Sequence, residues 1–215
     1  MIRYVTLIAT VAALGAQASS ADEFGDGLAA IQNEWAAANY QAADDARDDA
    51  FAALLDHAEK FREQYPTRAE ALAWEGIVLS TYAGEASAMS AMKYAKAARA
   101  ALERAEQLDA TALAGGIYAS LGALYSKVPG GFIGFGDDEL AAQYFAKALA
   151  VDADNIDNNF FYGEFLLEQG DYARARQVLE HALASPAVSD RPVFDAGRRA
   201  EIRALLTVAE RKAAS

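Results

Sequence analysis

The sequence predicts an all-α protein, a solenoid of about nine helices joined by short connections. Apolar residues recur at helical spacing from about residue 27 to the end, and no segment alternates as a half-buried strand would. The four prolines all lie between helical patterns, where a proline can end or begin a helix: Pro66, Pro129, Pro186 and Pro192. With 215 residues, of which 53% are hydrophobic, the chain can build one continuous core.

The first residues have the layout of a secretory signal peptide. Arg3 precedes a mostly apolar run, and small residues that offer cleavage after Ala18 or Ala21 follow it. The run is too short to span a bilayer comfortably, although an N-terminal anchor helix is the alternative. We therefore expect a signal peptide over residues 1–21, a single domain over residues 22–215, and a periplasmic protein of a bacterial type.

Composition narrows the classes of function. The chain carries 31 acidic and 19 basic residues, and an acidic surface repels nucleic acids and anionic membranes. There are no cysteines, so disulfides, thiol nucleophiles and thiolate metal sites are excluded. The only histidines, His57 and His181, stand in no hydrolase or zinc motif. We expect no enzyme activity, no metal and no cofactor.

An internal repeat gives the strongest signal. The pattern Ala-x3-Phe/Leu-x2-Ala occurs three times, and its last two copies are 34 residues apart: Ala98/Leu102/Ala105, Ala141/Phe145/Ala148 and Ala175/Leu179/Ala182. Gly122 and Gly163 lie in the helices before the last two copies, where a small residue lets paired helices approach closely.

These residues resemble the tetratricopeptide repeat, a 34-residue helix–turn–helix unit. The resemblance implies a solenoid whose best repeats cover residues 115–155 and 156–189, with a capping helix over residues 191–212. We expect the arginines of this last helix to lie on a polar outer face, as the end of a solenoid requires.

The stretch "VPGGFIGFG", residues 128–136, interrupts the repeat. The spacing from Gly122 to its helix partner is seven residues longer than in the last repeat, so the stretch is predicted to enlarge a loop inside one repeat. A phosphate loop is excluded because no strand precedes it and acidic residues follow it. Phe132, Ile133 and Phe135 are costly to leave in water. They are predicted either to plug the solenoid's own groove or to form a site for an apolar ligand or a partner.

The groove of such a solenoid is lined by the first helix of each repeat. By resemblance to the family, Asp157, Phe160 and Glu164 would face it, and their mixture of aromatic and acidic groups suits a peptide or a cationic small molecule. The alternative for an aromatic residue here is a place in the core between repeats. The candidate binding residues are Tyr125, Phe132, Ile133, Phe135, Asp157, Phe160 and Glu164.

The loop sequence "FIGFGD" and the later helix "NNFFYGEFLLEQGDY" resemble periplasmic tetratricopeptide proteins of the TRAP-transporter T-component family. That family is thought to bind a small ligand or a substrate-binding partner protein, and some members form oligomers with a central pore. The resemblance implies a non-enzymatic periplasmic binding or adaptor protein, associated with a transporter. The alternative is a structural scaffold in cell-envelope assembly, without a small-molecule site.

Overall fold

The structure, a computed structural model, describes residues 12–213, which contain nine α-helices and no strand. The helices are α1 Ala12–Tyr40, α2 Asp44–Gln64, α3 Ala69–Glu85, α4 Ala88–Leu108, α5 Gly116–Lys127, α6 Asp138–Val151, α7 Ile156–Glu168, α8 Tyr172–Ala184 and α9 Pro192–Ala213. The prediction of an all-α solenoid is confirmed.

The N-terminal segment extends the first helix. Residues 1–11 of the predicted signal peptide lie outside the described residues, and residues 12–21 form the beginning of α1. Within the described part of the chain, no helix is long and apolar enough to cross a membrane.

Successive helices pack as pairs, in the order α1 with α2, α3 with α4, α5 with α6, and α7 with α8. The link between α7 and α8 has three residues, whereas the link between α5 and α6 has ten, residues 128–137. The predicted insertion of seven residues therefore lies where the spacing of the repeats located it. Asp137 ends this loop by capping α6, because its side chain accepts a hydrogen bond from the backbone N–H of Leu140.

Close contact between paired helices depends on a glycine in the first helix of each pair. A Cβ on Gly122 would lie 2.8 Å from the ring of Phe145, and one on Gly163 would lie 2.6 Å from Leu179. The same relation holds between Gly76 and Leu102, at 2.7 Å. A side chain at any of the three glycines would force the helices apart. The predicted close approach at Gly122 and Gly163 is present in the structure.

The last helix packs against the first, which the repeat pattern does not predict. Phe194 of α9 lies with its ring centroid 6.4 Å from that of Trp35 of α1. One turn further along, a Cβ on Gly197 would lie 2.4 Å from the ring of Tyr40. The hydroxyl of Tyr40 also donates a hydrogen bond of 2.8 Å to Glu201. The concave side of the solenoid is therefore bounded by α9 as well as by the paired helices.

Arg198 joins three helices at this closure. The side chain is 4% exposed, and it donates hydrogen bonds of 2.7 Å to Asp157 of α7 and to Glu201 of α9. Its guanidinium carbon lies 4.0 Å from the ring centroid of Phe160. Burial lowers the pKa of this group, but the negative charges of Asp157 and Glu201 and the hydrogen bond to Asp157 outweigh burial and raise the pKa above its ordinary value.

The expectation that the arginines of α9 occupy a polar outer face is thus wrong for Arg198. The sequence pattern cannot distinguish a solvated arginine from one whose charge is balanced by carboxylates of other helices.

Replacing Arg198 with methionine should lower the free energy of unfolding by about 2–4 kcal/mol, because Asp157 and Glu201 would keep their charges without the partner they share. Urea denaturation followed by circular dichroism measures the loss. Arg203→Met on the exposed face of the same helix is the control, and we expect it to change stability by less than about 0.5 kcal/mol. Equal stabilities of the two variants would contradict a closure that depends on Arg198.

Candidate functional site

A cavity of about 730 Å³ occupies the concave side of the solenoid, and we call it the chamber. The first helices of the four pairs contribute to its wall, together with α9, the beginning of α4, the turn before α5 and the start of the 128–137 loop. Its large apolar side chains include four aromatic and five aliphatic ones: Trp35, Trp74, Phe161, Phe194, Ile77, Met92, Leu113, Leu124 and Val128.

The tryptophans form one apolar wall of the chamber. The ring centroids of Trp35 and Trp74 are 6.3 Å apart in an edge-to-face arrangement. The indole N–H of Trp35 donates a 3.0 Å hydrogen bond to the hydroxyl of Thr81, which in turn donates to the backbone carbonyl of Ile77. The indole N–H of Trp35 is thus satisfied, whereas that of Trp74 is buried without a hydrogen-bond partner among the described residues. Both rings present mainly apolar surface to the chamber.

Ion pairs within the chain balance the two acidic side chains of the chamber. Asp157 accepts a hydrogen bond from Arg198, and Glu164 pairs with Lys127, whose Nζ lies 3.0 Å from its carboxylate and also contacts Glu168 closely. Burial works against the charge on Lys127, but its bonds to Glu168 and Glu164 raise its pKa above the ordinary value. The acidic groups therefore give the chamber little net negative charge.

A strained turn contributes to the chamber wall just before α5. Leu113 and Ala114 have φ values of 58° and 50°, a left-handed conformation that costs about 1–3 kcal/mol for each residue other than glycine. The fully buried side chain of Asn158 donates to the carbonyl of Ala114 at 3.0 Å, and so ties this turn to α7. The surrounding hydrogen bonds hold the turn in place.

The predicted groove residues of α7 divide between the chamber and the core. Asp157 and Glu164 lie at the chamber wall. Phe160 is buried beneath the guanidinium of Arg198, and its neighbour Phe161 lines the chamber instead.

Tyr125 and Phe135 pack together away from the chamber. The ring of Tyr125 stacks on that of Tyr144 with centroids 5.6 Å apart, and Phe135 meets Tyr125 edge-on at 5.6 Å. The guanidinium of Arg99 lies 4.3 Å from the centre of the Phe135 ring. Phe135 therefore anchors the loop to α4 and α5, and it does not fill the chamber.

Backbone hydrogen bonds close the neck of the loop. The N–H of Gly136 donates to the carbonyl of Pro129 at 3.0 Å, and a Cβ on Gly136 would lie only 1.8 Å from the carbonyl oxygen of Val128. Val128 and Pro129 belong to the chamber wall. At the tip, Phe132 is fully exposed and Ile133 is 75% exposed. One loop thus contributes to the chamber at its neck and presents apolar side chains to solvent at its tip.

Residues 133–191 match the family model described as the tetratricopeptide repeat. The match covers the end of the loop and helices α6, α7 and α8, and it supports the tetratricopeptide superfamily for this part of the chain. Tetratricopeptide repeats generally serve as scaffolds for protein–protein interaction. No curated protein matches the chain.

Several chamber residues were not among those singled out from the sequence. Trp35 and Phe194 were missed because they lie in the first and last helices, outside the well-matched repeats. Arg191 was missed because it lies in the connection just before α9, at the end of the matched segment. Trp74 and Ile77 stand three residues apart on α3, a spacing that placed them on one face of a helix without indicating which neighbour that face meets.

The two phenylalanines of the loop should respond differently to replacement with serine. Phe135→Ser should lower the free energy of unfolding by about 1–3 kcal/mol, because it removes the ring that packs on Tyr125 and Arg99. Phe132→Ser, the matched control at the exposed tip, should change it by less than about 0.5 kcal/mol. Thermal and urea denaturation of both variants provide the measurement, and an equal loss in both would argue against the anchoring role of Phe135.

Proposed function

We propose that the protein is a non-enzymatic binding protein that holds a small, largely apolar molecule in its chamber. The volume of about 730 Å³ lies within the range of about 300–1,000 Å³ typical of small-molecule sites. The walls combine several aromatic rings with a few polar groups, which is the usual composition of such sites. Tetratricopeptide repeats are generally non-enzymatic, which agrees with this proposal.

The observation that carries the proposal is the contact of α9 with α1. An open solenoid offers a groove in which a peptide lies, and a bound helix needs a channel of about 10–12 Å. Here Phe194 and Arg198 of the last helix form part of the wall. The closure by α9 favours a compact ligand over a long peptide. The structure also gives less reason to expect a cationic ligand, because Asp157 and Glu164 already have cationic partners.

A second candidate function is docking to a partner protein, and the loop tip favours it. Phe132 and Ile133 place two large apolar side chains in solvent, beside a repeat whose usual role is protein–protein interaction. Binding of a ligand in the chamber and of a partner at the tip would together suit an adaptor associated with a transporter. A scaffold in cell-envelope assembly would use the outer surface alone and leave the chamber empty.

Filling the chamber should abolish the binding of a small apolar molecule. Ala123 lines the chamber, and Ala123→Phe should weaken the binding of the uncharged fluorescent dye Nile red by at least about tenfold. Ala100→Phe on the exposed face of α4 adds the same ring outside the chamber and should leave dye binding unchanged. Fluorescence titration measures both affinities, and circular dichroism checks that each variant folds. Equal dye affinity in the wild type and a folded Ala123→Phe variant would refute the proposal.

We also propose that the protein is exported to the periplasm after cleavage of its N-terminal segment. Export should leave a mature chain that begins after Ala18 or Ala21, as the small residues at these positions suggest. N-terminal sequencing of the protein from fractionated cells is the measurement. A periplasmic chain that starts there agrees with the proposal, whereas a cytoplasmic chain that retains the whole segment contradicts it.

A further inference from the structure

We infer that the molecule held in the chamber carries a single anionic group, such as a carboxylate, and that Arg191 receives it. This inference rests on the proposed function and specifies the class of ligand. It follows from the charged side chains of the chamber and from the partners that each of them has within the chain.

Three cationic and two anionic side chains line the chamber: Lys127, Arg191, Arg198, Asp157 and Glu164. Four of the five are paired inside the chain, since Arg198 contacts Asp157 at 2.7 Å and Lys127 contacts Glu164 at 3.0 Å. These pairs also help to hold α5, α7 and α9 in place, so the paired charges are not available to a ligand. Arg198 and Lys127 each contact a second carboxylate as well, Glu201 and Glu168. Arg191 is the one charged side chain of the lining without an ion-pair partner among the described residues.

Arg191 has no carboxylate partner among the residues that the structure describes. Its guanidinium carbon lies 4.4 Å from the ring centroid of Phe194, a side chain buried in the chamber wall. An arginine that rests on an aromatic ring keeps its charge and leaves N–H groups free to donate. A carboxylate is the group that such donors bind best, because its two oxygens can accept two parallel hydrogen bonds.

Further donors stand around the chamber without partners in the described chain. Gln32 of α1, Ser80 of α3 and Ser120 of α5 line the chamber, and none of their side chains forms a hydrogen bond to described residues. They can hydrogen-bond to a polar group of a ligand, whereas the aromatic wall binds its apolar part. One unpaired cation, a few neutral donors and an apolar wall together match an amphipathic monoanion.

Ligands with a charge other than −1 fit the chamber less well. A cationic ligand would add a second unpaired positive charge beside Arg191, and a dianion would bring one negative charge into the chamber without a partner. A neutral apolar molecule would leave the charge of Arg191 unbalanced within a partly enclosed space.

The test compares three ligands with the same eight-carbon chain and different head groups: octanoate, octanol and octylammonium. Each is titrated against the wild-type protein with bound Nile red, and displacement of the dye reports the affinity. We expect octanoate to bind about tenfold more tightly than octanol, and octylammonium to bind most weakly. Transfer to an apolar phase alone would favour octanol, so a preference for octanoate is specific evidence of a cationic partner.

Variants of Arg191 identify that partner. In Arg191→Gln, octanoate should bind no more tightly than octanol, and the affinity for octanol should stay the same. Arg191→Lys keeps the charge and should retain a preference for octanoate. Arg203→Gln, on the exposed face of α9, is the matched control and should leave the preference intact. The unchanged affinity of Arg191→Gln for octanol also shows that this variant folds.

The outcomes separate the ligand class from the proposed function. Displacement by octanol at least as strong as by octanoate, or strongest displacement by octylammonium, overturns the inference and leaves an apolar chamber in place. A preference for octanoate that survives in Arg191→Gln overturns the role of Arg191. Failure of Nile red and of all three ligands to bind removes the proposed function, and the inference with it.

Discussion

The buried guanidinium of Arg198 is the interaction on which the shape of the molecule depends. It lies within 6 Å of the centres of aromatic rings from α1, α7 and α9, and carboxylates of α7 and α9 accept hydrogen bonds from it. A charge buried in this way is stabilising only when all of its partners are present, so the arrangement is specific as well as strong. Because those partners belong to three helices, the last helix is held over the concave side of the solenoid. The repeats form the curved wall, and the contact of α9 with α1 and α7 encloses the chamber.

The chamber separates charges that stabilise the fold from a charge that remains available. Asp157 and Glu164 are the acidic groups that the sequence offers for binding, yet both serve the packing of neighbouring helices. Arg191 immediately precedes the last helix, and no carboxylate of the described residues forms an ion pair with it. The charged residues that line a groove therefore indicate the charge of a ligand only after the residues that form ion pairs within the chain have been set aside.

The sequence predicts what depends on contacts between residues close in the chain. The helical periodicity, the seven-residue insertion and the glycines beneath Phe145 and Leu179 are of this kind, because a repeat constrains them within about 34 residues. The contact between the first and last helices cannot be predicted in this way, since Tyr40 and Glu201 are separated by 161 residues. The different roles of the two loop phenylalanines cannot be predicted from the sequence either. Phe132 and Phe135 look equivalent in the sequence, and only their neighbours in space distinguish an exposed tip from an anchor.

The contact between the first and last helices also affects the order in which parts of the molecule fold. Helix pairs with neighbouring contacts can fold soon after they are synthesised, because little chain entropy opposes their association. The contact of α1 with α9 requires the chain between them to close as one long loop, and α9 is synthesised after the other eight described helices. An incomplete chain can thus hold folded repeats and still lack a chamber. Under the proposed function, ligand binding requires α9 to be in place, and a bound ligand would stabilise the form in which α9 contacts α1.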